Sequence, residues 1–168
     1  MKIERTWAMP NKWTFTIKPI KELLAEELGT GDWADPFAGY NSPAYFTNDL
    51  NPDAKAKFHM DALAFLRKLE TGAFHGVLFD PPYSISQAAE CYKSYGKEKL
   101  EVNVANMGYW AACKDEVARI LRPGGKAIVF GWSTNGIGKG RGFEMMRILI
   151  VPHGGSKNDT LVTVEKKL

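Results

Sequence analysis

The run Gly76-Val77-Leu78-Phe79, closed by Asp80-Pro81-Pro82-Tyr83, constrains this chain more than any other stretch. Apolar residues in unbroken succession read as a strand buried on both faces, the condition of a parallel sheet covered by helices. Two successive prolines have no N–H to donate and a fixed φ, so the strand stops there. The tetrapeptide therefore stands at the carboxyl end of a strand, where open α/β sheets hold their ligands.

The rest of the chain alternates strand and helix. Pro19 suits the first turn of a helix, and Ile20, Leu23, Leu24 and Leu28 give that helix an apolar stripe. A strand follows over 33–37, and Gly39 permits close backbone approach after it. Further strands are expected over 44–49 and 58–61, with a helix over 62–69 between the latter and the tetrapeptide strand. A helix over 107–121 ends at Arg122-Pro123-Gly124-Gly125, and a fifth strand spans 127–131. The last strands, 143–151 and 161–164, are joined through Pro152-His153-Gly154-Gly155-Ser156 as an antiparallel hairpin. With 168 residues and 45% hydrophobic content, one core suffices, so 1–168 reads as a single domain with 84–106 as a target-contacting insertion.

The tetrapeptide suits one difficult reaction. An amino group on an aromatic base is a poor nucleophile because its lone pair is delocalised into the ring. Asp80 offers a carboxylate acceptor for the amino hydrogens and the Pro81 carbonyl, fixed by its neighbour Pro82, a second. Tyr83 offers a flat face for stacking. By itself this pattern is also that of a strand ending in an ordinary Pro-Pro turn.

Upstream, Phe15-Thr16-Ile17-Lys18-Pro19 enters the first helix, and Asp35-Pro36-Phe37-Ala38-Gly39 closes the first strand. In this order, and with Asp80-Pro81-Pro82-Tyr83, the pattern resembles the S-adenosylmethionine (SAM)-dependent amino-methyltransferases, which modify DNA adenine N6 or cytosine N4, and in particular their small phage-like members. The resemblance implies an α/β, Rossmann-like SAM-dependent methyltransferase fold: a mostly parallel seven-stranded sheet with an antiparallel edge hairpin. It implies SAM as cofactor, with Phe15, Thr16, Ile17, Lys18, Asp35, Pro36, Phe37, Ala38 and Gly39 around it. Asp35 would accept from the cofactor's ammonium and Phe37 would wall its tail. It implies catalytic roles for Asp80, Pro81, Pro82 and Tyr83, with DNA as partner. The same tetrapeptide also occurs in RNA amino-methyltransferases. One departure is local: Gly39-Tyr40-Asn41-Ser42-Pro43 lacks the further glycine usual two residues on.

Asp49, about ten positions after Gly39, stands where such folds place an acid for the ribose hydroxyls, or it serves as a turn residue before Asn51-Pro52. Asp61 either bonds the adenine amino group of SAM or caps the helix after it. Two basic segments can contact nucleic acid: Tyr92, Lys93, Tyr95 and Lys97, where aromatic and basic residues interleave, and a flexible glycine-rich stretch with Lys139 and Arg141. A solvated loop explains each equally well. Only 84–106 can read a target sequence, so a short target or a second subunit is expected; homodimerisation would widen the contact surface.

The formal charge of +3 and pI near 8.8 fit a phosphate-rich partner without requiring one. Neither Cys91 nor Cys113 follows a proline, which excludes the cysteine route of cytosine carbon-5 methylation. Three scattered histidines and two cysteines argue against a metal site. No apolar run reaches membrane-spanning length. A cytoplasmic setting in a bacterial or phage-infected cell is the expectation, with no membrane partner.

Overall fold

The computed structural model describes residues 1–82 and 107–168. A single seven-stranded sheet runs through them in the order β1-β6-β7-β5-β4-β2-β3. The strands are β1 (Lys2–Arg5), β2 (Trp33–Asp35), β3 (Phe46–Thr47), β4 (Phe74–Phe79), β5 (Leu121–Gly131), β6 (Phe143–Val151) and β7 (Thr160–Lys167). Only β7 runs against its neighbours, pairing antiparallel with both β5 and β6; the other pairs are parallel.

Helices cover both faces. Helix α1 (Lys18–Glu27) starts with Pro19 in its first turn and buries Ile20, Leu23 and Leu24. Those side chains join Leu78 of β4, Ile128 and Phe130 of β5, and Val162 and Val164 of β7. On the other face, α2 (Ala62–Lys68) and α3 (Met107–Ile120) bury Phe65, Leu66, Cys113, Val117 and Ile120 against Val77, Phe79, Ala127 and Val129. Successive strand residues point to opposite faces, so Val77, Leu78 and Phe79 are all buried, two in one core and one in the other. Each buried aliphatic or aromatic side chain contributes about 2 kcal/mol. Gly76 is required within β4, because a Cβ there would lie 2.3 Å from the Trp33 ring on β2.

Seven strands were expected and the described residues form seven, but they are not the same seven. Residues 58–61 form no strand; only an isolated parallel bridge joins Phe58 to Asn48. The reason is Asn48, fully buried, whose amide donates to the Pro36 and Met60 carbonyls and accepts from the Met60 N–H. Backbone bonds link Phe58 to Thr47 and Asp49, and beyond them the Asn48 side chain takes the Met60 bonds that a ladder would have made. The expected strand over 44–49 shrinks to Phe46–Thr47. In compensation, the chain's first residues add β1 beside β6, with Lys2 opposite Arg147 and Arg5 opposite Ile150. The hairpin of β6 and β7 thus lies toward one edge with β1 outside it. Among the described residues no helix is long and apolar enough to cross a membrane.

Candidate functional site

Strand β2 is hydrogen-bonded to β3 on one side and β4 on the other, so the residues that follow these strands emerge side by side. Between them lies a cavity of about 490 Å³. Its floor and sides come from Pro36, Phe37, Ala38, Gly39, Tyr40 and Asn41 after β2, from Asp49 and Leu50 after β3, and from Asp80, Pro81 and Pro82 after β4. One wall is the strap leading into α1, with Asn11, Lys12, Trp13, Thr14, Phe15 and Ile17; the facing wall is Met60, Asp61, Ala62, Tyr109 and Trp110.

Asp35 ends β2 and is fully buried, outside the cavity wall. One oxygen accepts from the Phe37 N–H at 2.9 Å and the other from the Ser42 hydroxyl at 2.6 Å. Burial pushes its pKa up to about 7, against the pull of those two hydrogen bonds, and the nearby Asp80 and Asp49 carboxylates add to the rise. Ser42 thus shapes the loop by holding the acid beneath it, while Gly39 takes φ 54.

Asp49 lines the cavity and organises the loop. Its Oδ2 accepts from the Gly39 N–H at 2.8 Å and its Oδ1 from the Asn51 N–H at 2.8 Å. Asp61 is the cap of α2, with Oδ1 accepting from the Ala64 N–H at 3.0 Å. Its Oδ2 accepts from the Tyr109 hydroxyl at 2.7 Å, tying α3 to the start of α2. Burial first, then this bond to Asp61, raises the Tyr109 pKa far above the phenol range, so the hydroxyl stays a donor. Phe37 meets Phe79 edge-on with centroids 5.4 Å apart and lies 6.0 Å from Trp110.

Of the residues singled out from the sequence, the cavity gathers Phe15, Ile17, Pro36, Phe37, Ala38, Gly39, Asp49, Asp61, Asp80, Pro81 and Pro82. Thr16 and Lys18 do not line it. The Thr16 hydroxyl accepts from the Asn11 amide and donates to the Trp13 carbonyl, and Lys18 lies exposed 3.9 Å from Glu22. Lys139 and Arg141 also lie away from the cavity. In place of a loosely held glycine loop, the Ile137 and Gly138 N–H groups donate to the buried Glu165. Arg141 binds Asp115 at 2.6 Å and the carbonyls of Ile137 and Ala111. Tyr83, Tyr92, Lys93, Tyr95 and Lys97, with the 84–106 insertion, lie outside the described residues. Sequence reasoning missed Lys12, Trp13, Tyr40, Asn41, Tyr109, Trp110 and Thr160 on the cavity wall. The Tyr109–Asp61 pair spans 48 residues, which leaves no local signal.

Comparison with solved structures identifies the architecture. A 1,6-didemethyltoxoflavin-N1-methyltransferase from Burkholderia thailandensis, solved with 1,6-didemethyltoxoflavin and S-adenosylhomocysteine, superposes with a TM-score of 0.57 at 14% identity, covering 88% of this chain and 75% of that one. TrmN from Thermus thermophilus gives 0.57 at 16% identity, covering 90% of this chain, which spans only 49% of TrmN. A SAM-dependent methyltransferase from Methanosarcina mazei gives 0.56 at 12%, covering 87% and 97%. The chain has the Rossmann-like fold of the SAM-dependent methyltransferases. No protein-family model matches it, and no curated protein matches its sequence.

Proposed function

We propose that the chain transfers the methyl group of SAM to an exocyclic amino nitrogen of a nucleic-acid base, adenine N6 of DNA in the first instance. One observation carries this reading: Asp80, Pro81 and Pro82 share a single cavity with Gly39 and Asp49, because β4 and β2 are adjacent strands. A fold of this kind with the two tips on opposite edges of the sheet has no route for direct transfer.

The residues present fit SAM. A Cβ at Gly39 would meet nothing within 4 Å, so the loop backbone lies open to a ligand. The volume is that of a small-molecule site. The lining carboxylates of Asp49, Asp61 and Asp80 suit a cationic ligand. Each Asp49 oxygen keeps a second lone pair for a ribose hydroxyl. Phe15, Ile17 and Phe37 supply apolar wall. When bound, SAM supplies an activated methyl carbon.

The chain's own part is to place and prepare the nucleophile. Asp80 and the Pro81 carbonyl accept the two amino hydrogens, which draws the nitrogen lone pair out of the ring and toward the methyl donor. The proton lost after transfer goes to Asp80 or to water. Tyr83, next in the chain, offers the stacking face. In a duplex the base must first leave the stack, at a cost of a few kcal/mol that is offset by contacts in the pocket. An Asp at the head of the tetrapeptide is the feature that favours adenine.

Incubating the protein with labelled SAM and mixed DNA and RNA, then digesting to nucleosides, tests this. N6-methyldeoxyadenosine is the expected product. Label in N4-methyldeoxycytidine or in a ribonucleoside would move the target, and label in no nucleoside would overturn the proposal.

A further inference from the structure

We infer that the outer edge of β1 is a self-association surface: it pairs antiparallel with β1 of a second copy, Ile3 against Ile3, and joins two sheets into one. The inference stands apart from the methyl-transfer reading. The two edges of the sheet are finished differently. At the β3 edge the strand spans only Phe46–Thr47, and the Lys57 and Phe58 N–H groups both donate to the Thr47 carbonyl. At the β1 edge, among the described residues, Lys2–Arg5 pairs with β6 and with nothing on its other side. Met1, Ile3, Trp7 and Met9 along that edge are each at least 60% exposed. An open strand edge beside exposed apolar side chains is a template for another strand.

The backbone selects which residues can make the new bonds. The Thr6 N–H donates to the Ile150 carbonyl and the Ala8 N–H to the Pro152 carbonyl, so the even-numbered residues turn their polar groups toward β6. Strand polar groups alternate in direction, which leaves the N–H and C=O of Ile3 and Arg5 pointing outward. Charge then selects the register. Centring a twofold axis on Lys2, on Glu4 or on Arg5 sets like charges face to face, which is unfavourable. Centring it on Ile3 sets Lys2 of each copy opposite Glu4 of the other, and the Ile3 N–H and C=O groups then bond each other across the axis.

The side chains are arranged for this register. Lys2 already sits on Glu4 of its own chain, Nζ to Oε1 at 3.0 Å, and the other Glu4 oxygen accepts from Arg147. Joined at Ile3, each Lys2 stands between two Glu4 carboxylates, so the charges alternate in sign along the seam. Ile3 lies beside Ile148 of β6, on the face away from α1, and meets its own counterpart there. Strand β1 runs in the same direction as β2 and β4, whose carboxyl ends bear the cavity. Antiparallel pairing therefore turns the two cavities in opposite directions. It doubles the sites on the particle without widening the surface around either one.

Sedimentation equilibrium on the whole chain, from about 10 to about 500 µM, tests this over the range expected of a small interface. The mass should rise from 18.7 kDa toward twice that value. Ile3→Pro removes an outward N–H and leaves the β6 side of the strand its donors, so it is expected to stay monomeric throughout. Lys2→Glu keeps every backbone bond and is expected to weaken association about tenfold, an effect that shrinks as salt rises. Urea unfolding at low concentration checks that each variant is folded. Should Ile3→Pro fail that check, Lys2→Glu decides alone. A wild-type mass of 18.7 kDa across the whole range overturns the inference, as does a dimer that a folded variant leaves at full strength.

Discussion

The two halves of the sheet are built in different ways. At one end β2 and β3 span three and two residues; at the other β5, β6 and β7 span eleven, nine and eight. In the long-stranded half the ladder satisfies the backbone, and charged side chains satisfy one another. Arg147, buried on β6, binds Glu4 of β1 and Glu26 and Glu27 of α1, while Lys126 binds Glu27 at 2.8 Å. In the short-stranded half the side chains satisfy the backbone. Asn48 stands in for a strand, Asp49 holds Gly39 and Asn51, and Asp35 holds Phe37. There Asp35, Asp49 and Asp61 accept from neutral N–H and O–H donors, whereas Glu4, Glu26 and Glu27 of the other half meet Lys and Arg. One half is scaffold. In the other, strands stop early so that loops shaped by carboxylates can form a concave, electronegative surface.

That contrast can be broken or sharpened by substitution. The largest effect is expected at Asp80→Ala, with at least about a thousandfold loss of transfer rate and S-adenosylhomocysteine affinity held within a few-fold. Full activity in that variant would remove the acid from the chemistry. Next, Asn48→Ala leaves the Met60 N–H and the Pro36 and Met60 carbonyls without their partner, which should cost about 3 kcal/mol in urea unfolding. A loss no larger than that of a surface substitution would mean that a ladder, not this side chain, organises the short half.

Asp35→Asn probes the same half by pH. An acid whose folded pKa is raised stabilises the fold fully below its unfolded value of 3.8 and loses that contribution as pH rises through about 7. Wild type should therefore lose about 2 kcal/mol relative to Asp35→Asn between pH 5 and pH 7. Parallel stability curves for the two proteins would show that burial of Asp35 does not set its protonation. The smallest effect belongs to the scaffold. Arg147→Met leaves Glu27 with Lys126 and Glu4 with Lys2, so about 1 kcal/mol is expected, with S-adenosylhomocysteine affinity unchanged. An affinity loss in that variant would erase the division between the halves.

The long-stranded half was largely legible. Unbroken apolar runs such as 127–130, or the 143–151 stretch and its glycine turn, state their strands through composition alone. The positions of Asp35, Gly39, Asp49, Asp61 and Asp80 within or just after expected strands were legible too. Which of them faces the cavity was not. Asp35 and Asp49 look alike in sequence, yet Ser42 holds one beneath the loop while the other lines the cavity. Strand β1 was illegible because Lys2-Ile3-Glu4-Arg5 is mostly polar and exposed and depends on β6 and Arg147 for its place. The expected strand at 58–61 keeps strand-like backbone bonds only at Phe58, to Thr47 and Asp49, because Asn48 takes those of Met60.

Strand β7, late in the chain, is wedged between β5 and β6, so the sheet's continuity passes through Thr160–Lys167. During synthesis, the β1–β6 pair has no strand joining it to β5, β4, β2 and β3 until that segment leaves the ribosome. Nascent chains halted before Thr160 should be digested by protease in their 143–151 region, and resistance there would show that the two pieces can settle independently.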